Sequence, residues 1–173
     1  TKEEYLASLS EIFEKCKGIG ADVIFLSPNM LNTSVAEDTP KQWWDYAHKT
    51  ADMQNGGRMD TFIHSAMGLA RDMGVTVCDC YSEWKKLSET QDVTYLLSNR
   101  INHPTEEMHK LFADKLYALI ISDGMENKEN TVVLLAEEVA IDEKRSNDIF
   151  LLISFKLFDN RGNRNGEGVT AAF

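Results

Sequence analysis

Apolar positions at the start of the chain fall three and four apart. Tyr5, Leu6, Leu9, Ile12, Phe13 and Cys16 share one helical face, and Thr1 with Glu4 forms a capping-box pair before them. This predicts a helix over 1–16, ended by Gly18 and Gly20. Asp22 to Ser27 (DVIFLS) is almost purely apolar, as expected of a strand buried on both faces of a parallel sheet, and Pro28 and Asn29 stop it. Residues 31–57 are polar, carry two tryptophans and close on Asn55, Gly56 and Gly57; they read as a long connection with room for a turn of helix. Helical spacing returns through Met59, Phe62, Ile63, Ala66, Met67, Ala70 and Met73, with Gly74 placed as the residue that closes the helix. A second strand follows at Val75 to Asp79 (VTVCD), then a short helix at Tyr81 to Leu87 and a loop from Glu89 to Asn102. Pro104 suits the first position of a helix and keeps Asn102 and His103 outside it. Glu106 and Glu107 complement the dipole of that helix, and Met108, Leu111, Phe112, Leu116, Leu119 and Ile120 supply its apolar face.

Helix, strand, helix, strand, helix is the order of two crossover units with parallel strands. The expected fold is therefore α/β: part of a three-layer, flavodoxin-like parallel sheet with helices on its faces over 1–122. Ligands of such sheets bind beyond the carboxyl ends of the strands, where Pro28, Asn29, Asp79 and the His103 loop emerge. After Ser122 the pattern changes. DGMENKEN (123–130) reads as a polar linker, and TVVLLAEEVAI and NDIFLLISFKLF read as strands with a turn at Asp159 to Gly162 and a further run from Val169. The expectation for 131–173 is a short antiparallel β segment, an accessory piece with too few strands to close an Ig-like sandwich. The acidic pairs Glu137–Glu138 and Asp142–Glu143 are expected in solvated turns.

Charge narrows the partners. The formal net charge of −10 and a pI near 4.8 oppose binding to a phosphate backbone, and no basic cluster offsets them, so no nucleic acid is expected. Apolar runs such as Ile149 to Phe155 fall well short of the roughly 20 residues a membrane helix needs, so no membrane span is expected. The opening TKEEYLASL is already helical in character and reads as no signal peptide; cytoplasm and secretion both stay open. Cys16, Cys78 and Cys80 are odd in number and match no zinc spacing, and are read as packing residues. His48 and His64 have no paired ligand at metal spacing, so neither metal nor cofactor is expected.

The candidate chemistry centres on His103, a loop imidazole presented at the entrance of an anchored helix, with a capping or merely exposed histidine as the plain alternative. His109, one and a half turns into the helix, is expected at the surface or core edge. Trp43, Trp44 and Tyr46 are either an aromatic wall for a sugar or acyl group or a cover for the sheet edge. Asp79 is expected to cap the helix beginning at Tyr81.

These pieces in this order (GADVIFLSPNM, a Gly-Gly connection into a helix, GVTVCDCYSEWKKL, and LLSNRINHPTEEMHKLFADKL) make Thr1 to Ile120 resemble the C-terminal half of an SGNH (GDSL-like) hydrolase domain. The resemblance implies a serine esterase acting on a small ester, an acylated sugar or lipid. His103, matching the family's histidine before a proline, would take the proton of the serine and return it to the leaving alcohol. The family usually has an aspartate three residues earlier, and here that position is Arg100. The orienting role then falls to a backbone carbonyl or to Asn99, Asn102, Asp79 or Asp92, or the enzyme works as a serine–histidine dyad. The family's serine, glycine and asparagine blocks match nothing here, so the nucleophile is expected from a complementing N-terminal segment; association with further copies of the chain is the other expected partnership. Substrate contacts are expected at Asn29, Trp43 and Trp44. The reading from a different class is a non-catalytic module, derived from the same fold, that binds a carbohydrate or a protein.

Overall fold

A computed structural model describes residues 1–120 in full and residues 121–122, 131–141, 151–158 and 170–171 as backbone. The elements are α1 (Lys2–Gly18), β1 (Asp22–Leu26), α2 (Trp44–Asn55), α3 (Arg58–Asp72), β2 (Thr76–Cys78), α4 (Tyr81–Ser88), α5 (Glu106–Ser122), β3 (Thr131–Ile141), β4 (Leu151–Phe158) and β5 (Thr170–Ala171). The chain is a mixed α/β protein.

The strands run in the order β2-β1-β3-β4-β5. β1 lies parallel to β2, with Ile24 opposite Thr76 and Leu26 opposite Cys78. On its other edge β1 is parallel to β3, with Asp22 opposite Thr131 and Leu26 opposite Leu135. β3–β4 and β4–β5 are antiparallel. Glu137 and Glu138 were expected in a turn but lie within β3, where its register against β4 shifts between Ala136 and Glu138. The linker at 123–130, the acidic pair Asp142–Glu143 and the turn at 159–162 lie outside the described residues.

β1 is buried on both faces, as its unbroken apolar run requires. Val23 and Phe25 join Tyr5, Leu9 and Phe13 of α1 and Ile63, Ala66 and Met67 of α3, and the Phe13 and Phe25 rings meet edge to face at 5.9 Å. Ile24 and Leu26 face the other way, with Cys78, Cys80 and the partly buried Leu111, Phe112, Leu116, Leu119 and Ile120 of α5. Lys115 also ties α5 to α4, its Nζ donating to Glu83 at 2.7 Å.

Several boundaries differ from expectation. The Thr1–Glu4 capping box is present, but α1 continues through Gly18 and the chain reverses at Gly20, whose φ of +80° favours glycine. Gly74 closes α3 with φ +66°. The connection at 31–57 holds far more than a turn: a 3-10 turn at Lys41–Trp43 leads directly into the twelve-residue α2. Its buried face is Ala47, Thr50, Ala51, Met53 and Gln54, too small and polar to register as a hydrophobic stripe.

Candidate functional site

The His103 loop is a small folded unit. Leu97 and Pro104 form an antiparallel bridge, so Pro104 lies outside α5, which starts two residues later at Glu106. Thr105 Oγ1 accepts the Met108 N–H at 3.3 Å at that helix entrance. Ser98 N–H donates to the His103 carbonyl at 2.7 Å, and Thr105 N–H to the Leu96 carbonyl at 2.9 Å. Inside the turn, Asn99 Oδ1 accepts the N–H groups of Ile101, Asn102 and His103 at 3.0, 2.9 and 3.0 Å. The Asn99 amide nitrogen donates to Asn102 Oδ1 at 2.7 Å. One side chain thus does the work of a backbone turn. The segment after β1 holds the loop from outside: Asn29 Nδ2 donates to the Asn102 carbonyl at 2.8 Å, and Asn32 N–H to the Ile101 carbonyl at 2.9 Å.

Asn99→Ala should therefore cost about 2–3 kcal/mol, since three acceptor contacts and one donor contact vanish at a partly buried position. Asn99→Asp keeps the acceptor and should cost less. Urea midpoints give the energies. Faster amide hydrogen exchange at 101–103 in the alanine variant would locate the loss.

His103 itself is exposed, and none of the described residues hydrogen-bonds its imidazole. The Asn99 side chain acts on the loop main chain and on Asn102 Oδ1. Arg100 is engaged with groups other than the histidine. It adopts a left-handed backbone, φ 61°, and its Nε lies 3.1 and 3.0 Å from the two Asp38 carboxylate oxygens. Its Nη1 donates to the carbonyls of Tyr95 and Leu97. The Arg100 hydrogen bonds hold the Asp38 carboxyl below its usual range.

Two aspartates considered as orienting acids are engaged elsewhere. Asp79, one residue before the N-cap Cys80, binds the first turn of α4, accepting the Ser82 N–H at 3.0 Å and the Ser82 hydroxyl at 2.7 Å. Asp92 accepts the hydroxyls of Thr33 and Ser34 and the N–H of Thr94. Ser27 is wholly buried and its Oγ accepts the Tyr81 N–H at 2.8 Å, a structural placement for a hydroxyl. Trp43 and Trp44 lie exposed at the start of α2; the Trp44 indole N–H donates to the Thr39 carbonyl at 2.8 Å. His64 packs edge-on to Tyr81 and His109 tilts against Phe112. The three cysteines are buried free thiols, and among the described residues no three His, Cys, Asp or Glu side chains gather as a metal site. No helix among them is long and apolar enough to cross a membrane.

The sequence pattern did not reveal a polar cluster that joins α2, α3 and α4. Buried Gln54 accepts the Leu31 N–H at 2.9 Å and donates to the Tyr81 hydroxyl at 2.8 Å. That hydroxyl donates to Asp60 Oδ1 at 2.5 Å, while Lys85 reaches Asp60 Oδ2 at 3.0 Å. Gln54, Asp60 and Lys85 border a cleft of about 510 Å³ that Met30, Ser88 and Asp92 also line; His103 is not in its lining. Burial alone opposes ionisation of Asp60, but hydrogen bonds from Tyr81 and Lys85 outweigh it and lower its pKa. Asp92 is likewise lowered: hydrogen bonds from Thr94, Ser34 and Thr33 together overcome burial.

Both folded pKa values lie below the ordinary 3.8, so their stabilising contribution is present above that pH and lost as pH falls through the lowered values. Asp60→Asn should cost about 1 kcal/mol near neutrality and progressively less in acid, as pH falls below the ordinary carboxylate value of 3.8. Urea midpoints across pH read this out.

No known family model matches the chain, and neither the curated proteins nor the solved structures contain a significant match.

Proposed function

We propose that this chain carries the acid–base half of a serine esterase of the SGNH (GDSL-like) kind, removing acyl groups from carbohydrate or lipid esters through an acyl-enzyme. His103 takes the proton from the serine as it attacks the ester carbonyl. It then gives a proton to the leaving alcohol, and the same cycle run with water releases the acid. The serine and the oxyanion donors are assigned to no residue of this chain and come from a complementing segment. The flavodoxin-like, three-layer arrangement belongs to the same proposal, supported by α1 and α3 on one face of β1 and α5 on the other.

The observation that carries the reading is the presentation of His103. Its imidazole is exposed, while its N–H and carbonyl are tied to Asn99 and Ser98 in a loop held against the segment after β1. A catalytic base needs this combination of an accessible ring and a fixed backbone. The test is hydrolysis of p-nitrophenyl acetate by protein in which the complementing segment is present. Activity unchanged by His103→Ala would overturn the assignment.

A specific observation favours the second reading, a non-catalytic binding module: Arg100 occupies the place of the orienting acid and is committed to Asp38. That reading requires no ester hydrolysis in any form of the protein and a binding surface around Trp43 and Trp44.

A further inference from the structure

We propose that Trp43, Trp44 and Tyr95, joined through the Asp38–Arg100 ion pair, form a binding ridge for a neutral glycan. The starting observation is exposure: Trp43 is 50%, Trp44 40% and Tyr95 54% exposed. Large aromatic side chains carry a large incentive to be buried, and a connected set left open marks a contact surface.

The rings are connected by short steps. The Trp44 indole donates to the carbonyl of Thr39. Thr39 follows Asp38, whose carboxylate holds the Arg100 guanidinium at 2.9 Å, and that guanidinium lies 5.2 Å from the centre of the Tyr95 ring. Trp43 meets Tyr46 edge to face at 6.3 Å. Each exposed ring is thus fixed by a partner, so little side-chain freedom remains to be lost on binding.

Neutral glycan fits this chemistry better than other ligands. A pyranose offers C–H groups to a ring face and hydroxyls around its rim. The ridge answers with aromatic faces and, between them, a carboxylate that accepts and a guanidinium that donates. A chain with net charge −10 disfavours nucleic acid and acidic polysaccharide, and an uncharged sugar meets no such repulsion. An apolar protein partner would want a continuous greasy face, whereas exposed Lys41, Gln42 and Asp45 interrupt this one.

The ridge also adjoins the proposed chemistry. Arg100 stands in the same Asn99-held turn as His103, three residues before it. A glycan seated on Tyr95 and Arg100 would lie on the turn that also carries His103, which favours an acylated neutral polysaccharide as substrate; that last step rests on the esterase reading, while the binding itself does not.

The test is calorimetric titration of the whole protein with cellohexaose, xylohexaose and chitohexaose, with oligogalacturonate as the anionic control. At least one neutral hexasaccharide should bind, and Trp44→Ala and Tyr95→Ala should each weaken it about tenfold while Trp44→Phe retains most of the affinity. Trp43→Ala, which breaks no hydrogen bond to the backbone, serves as the second variant should Trp44→Ala disturb the fold. Absence of binding to all three neutral sugars, preference for oligogalacturonate, or affinity untouched by the ring substitutions would each overturn the proposal. Hydrolysis is read separately. Sugar binding without ester cleavage keeps the ridge and removes the esterase, and cleavage without sugar binding does the reverse.

Discussion

If the proposed esterase reading holds, His103→Ala should lower kcat/KM for p-nitrophenyl acetate by about a thousandfold or more in protein supplied with the complementing segment, while leaving the urea midpoint almost unmoved. The two halves of this expectation come from different atoms of the same residue. Everything that holds His103 in place is main chain: its N–H donates to Asn99 Oδ1 at 3.0 Å and its carbonyl accepts from Ser98 N–H at 2.7 Å. Alanine keeps both bonds. His103 is exposed, so removal of its ring belongs with surface substitutions that shift stability by no more than about 0.5 kcal/mol. In the proposed esterase mechanism activity depends on the ring, because a serine hydroxyl is a poor nucleophile without a base beside it. A variant that loses activity and stability together would mean that the ring supports the loop, and the catalytic reading would lose its force. The Arg100 position adds a finer expectation. Since Arg100 reaches Asp38 and the carbonyls of Tyr95 and Leu97, Arg100→Ala should loosen the loop rather than alter an acid beside the imidazole.

The parts of this fold that were legible in the sequence are those where hydrophobicity alone decides the conformation. α3 shows Met59, Phe62, Ile63, Ala66, Met67 and Ala70 at helical spacing, and β1 is an unbroken apolar run because α1 and α3 cover one face and α5 the other. α2 was hidden because its inner face is held by polar contacts. Thr50 Oγ1 donates to Asn32 Oδ1 at 2.6 Å, Asn32 Nδ2 donates to the Ala47 carbonyl at 2.8 Å, and Gln54 spans Leu31 and Tyr81. Partners 15 to 27 residues apart leave no periodic trace. At the candidate site, Pro104 correctly kept His103 out of the helix, but the proline's restriction on its neighbours does not show that it pairs with Leu97. Arg100 looked like a missing acid. Its partner Asp38 lies 62 residues away in the connection, a distance over which spacing arguments carry nothing.

Trp84→Ala should be the most damaging single core substitution, at about 3–5 kcal/mol, against a total of about 5–15 kcal/mol for a typical domain. Trp84 is completely buried and heads the largest buried side chains. It stands in the same cluster as Tyr5, Ile63, Val93 and Leu97, and its ring lies 6.5 Å from that of Phe112 on α5. Truncation opens a cavity between α4 and α5 that the surrounding helices cannot close. Phenylalanine should be tolerated far better. Trp84 Nε1 is buried with no acceptor among the described residues, so removing that N–H relieves a desolvation cost that offsets part of the lost ring area. The net cost of Trp84→Phe should be about 1 kcal/mol, measured by urea unfolding beside the alanine variant. Equal losses for the two would mean that the indole N–H is paired and that packing is not the main term. The alanine variant should also reach the candidate site, because Leu97 shares the cluster with Trp84 and bridges Pro104. Loosening Leu97 frees the strand-like edge that sets the His103 carbonyl. Limited proteolysis within 97–104 should therefore accelerate in Trp84→Ala and stay near the wild-type rate in Trp84→Phe, which links core packing to the presentation of the histidine.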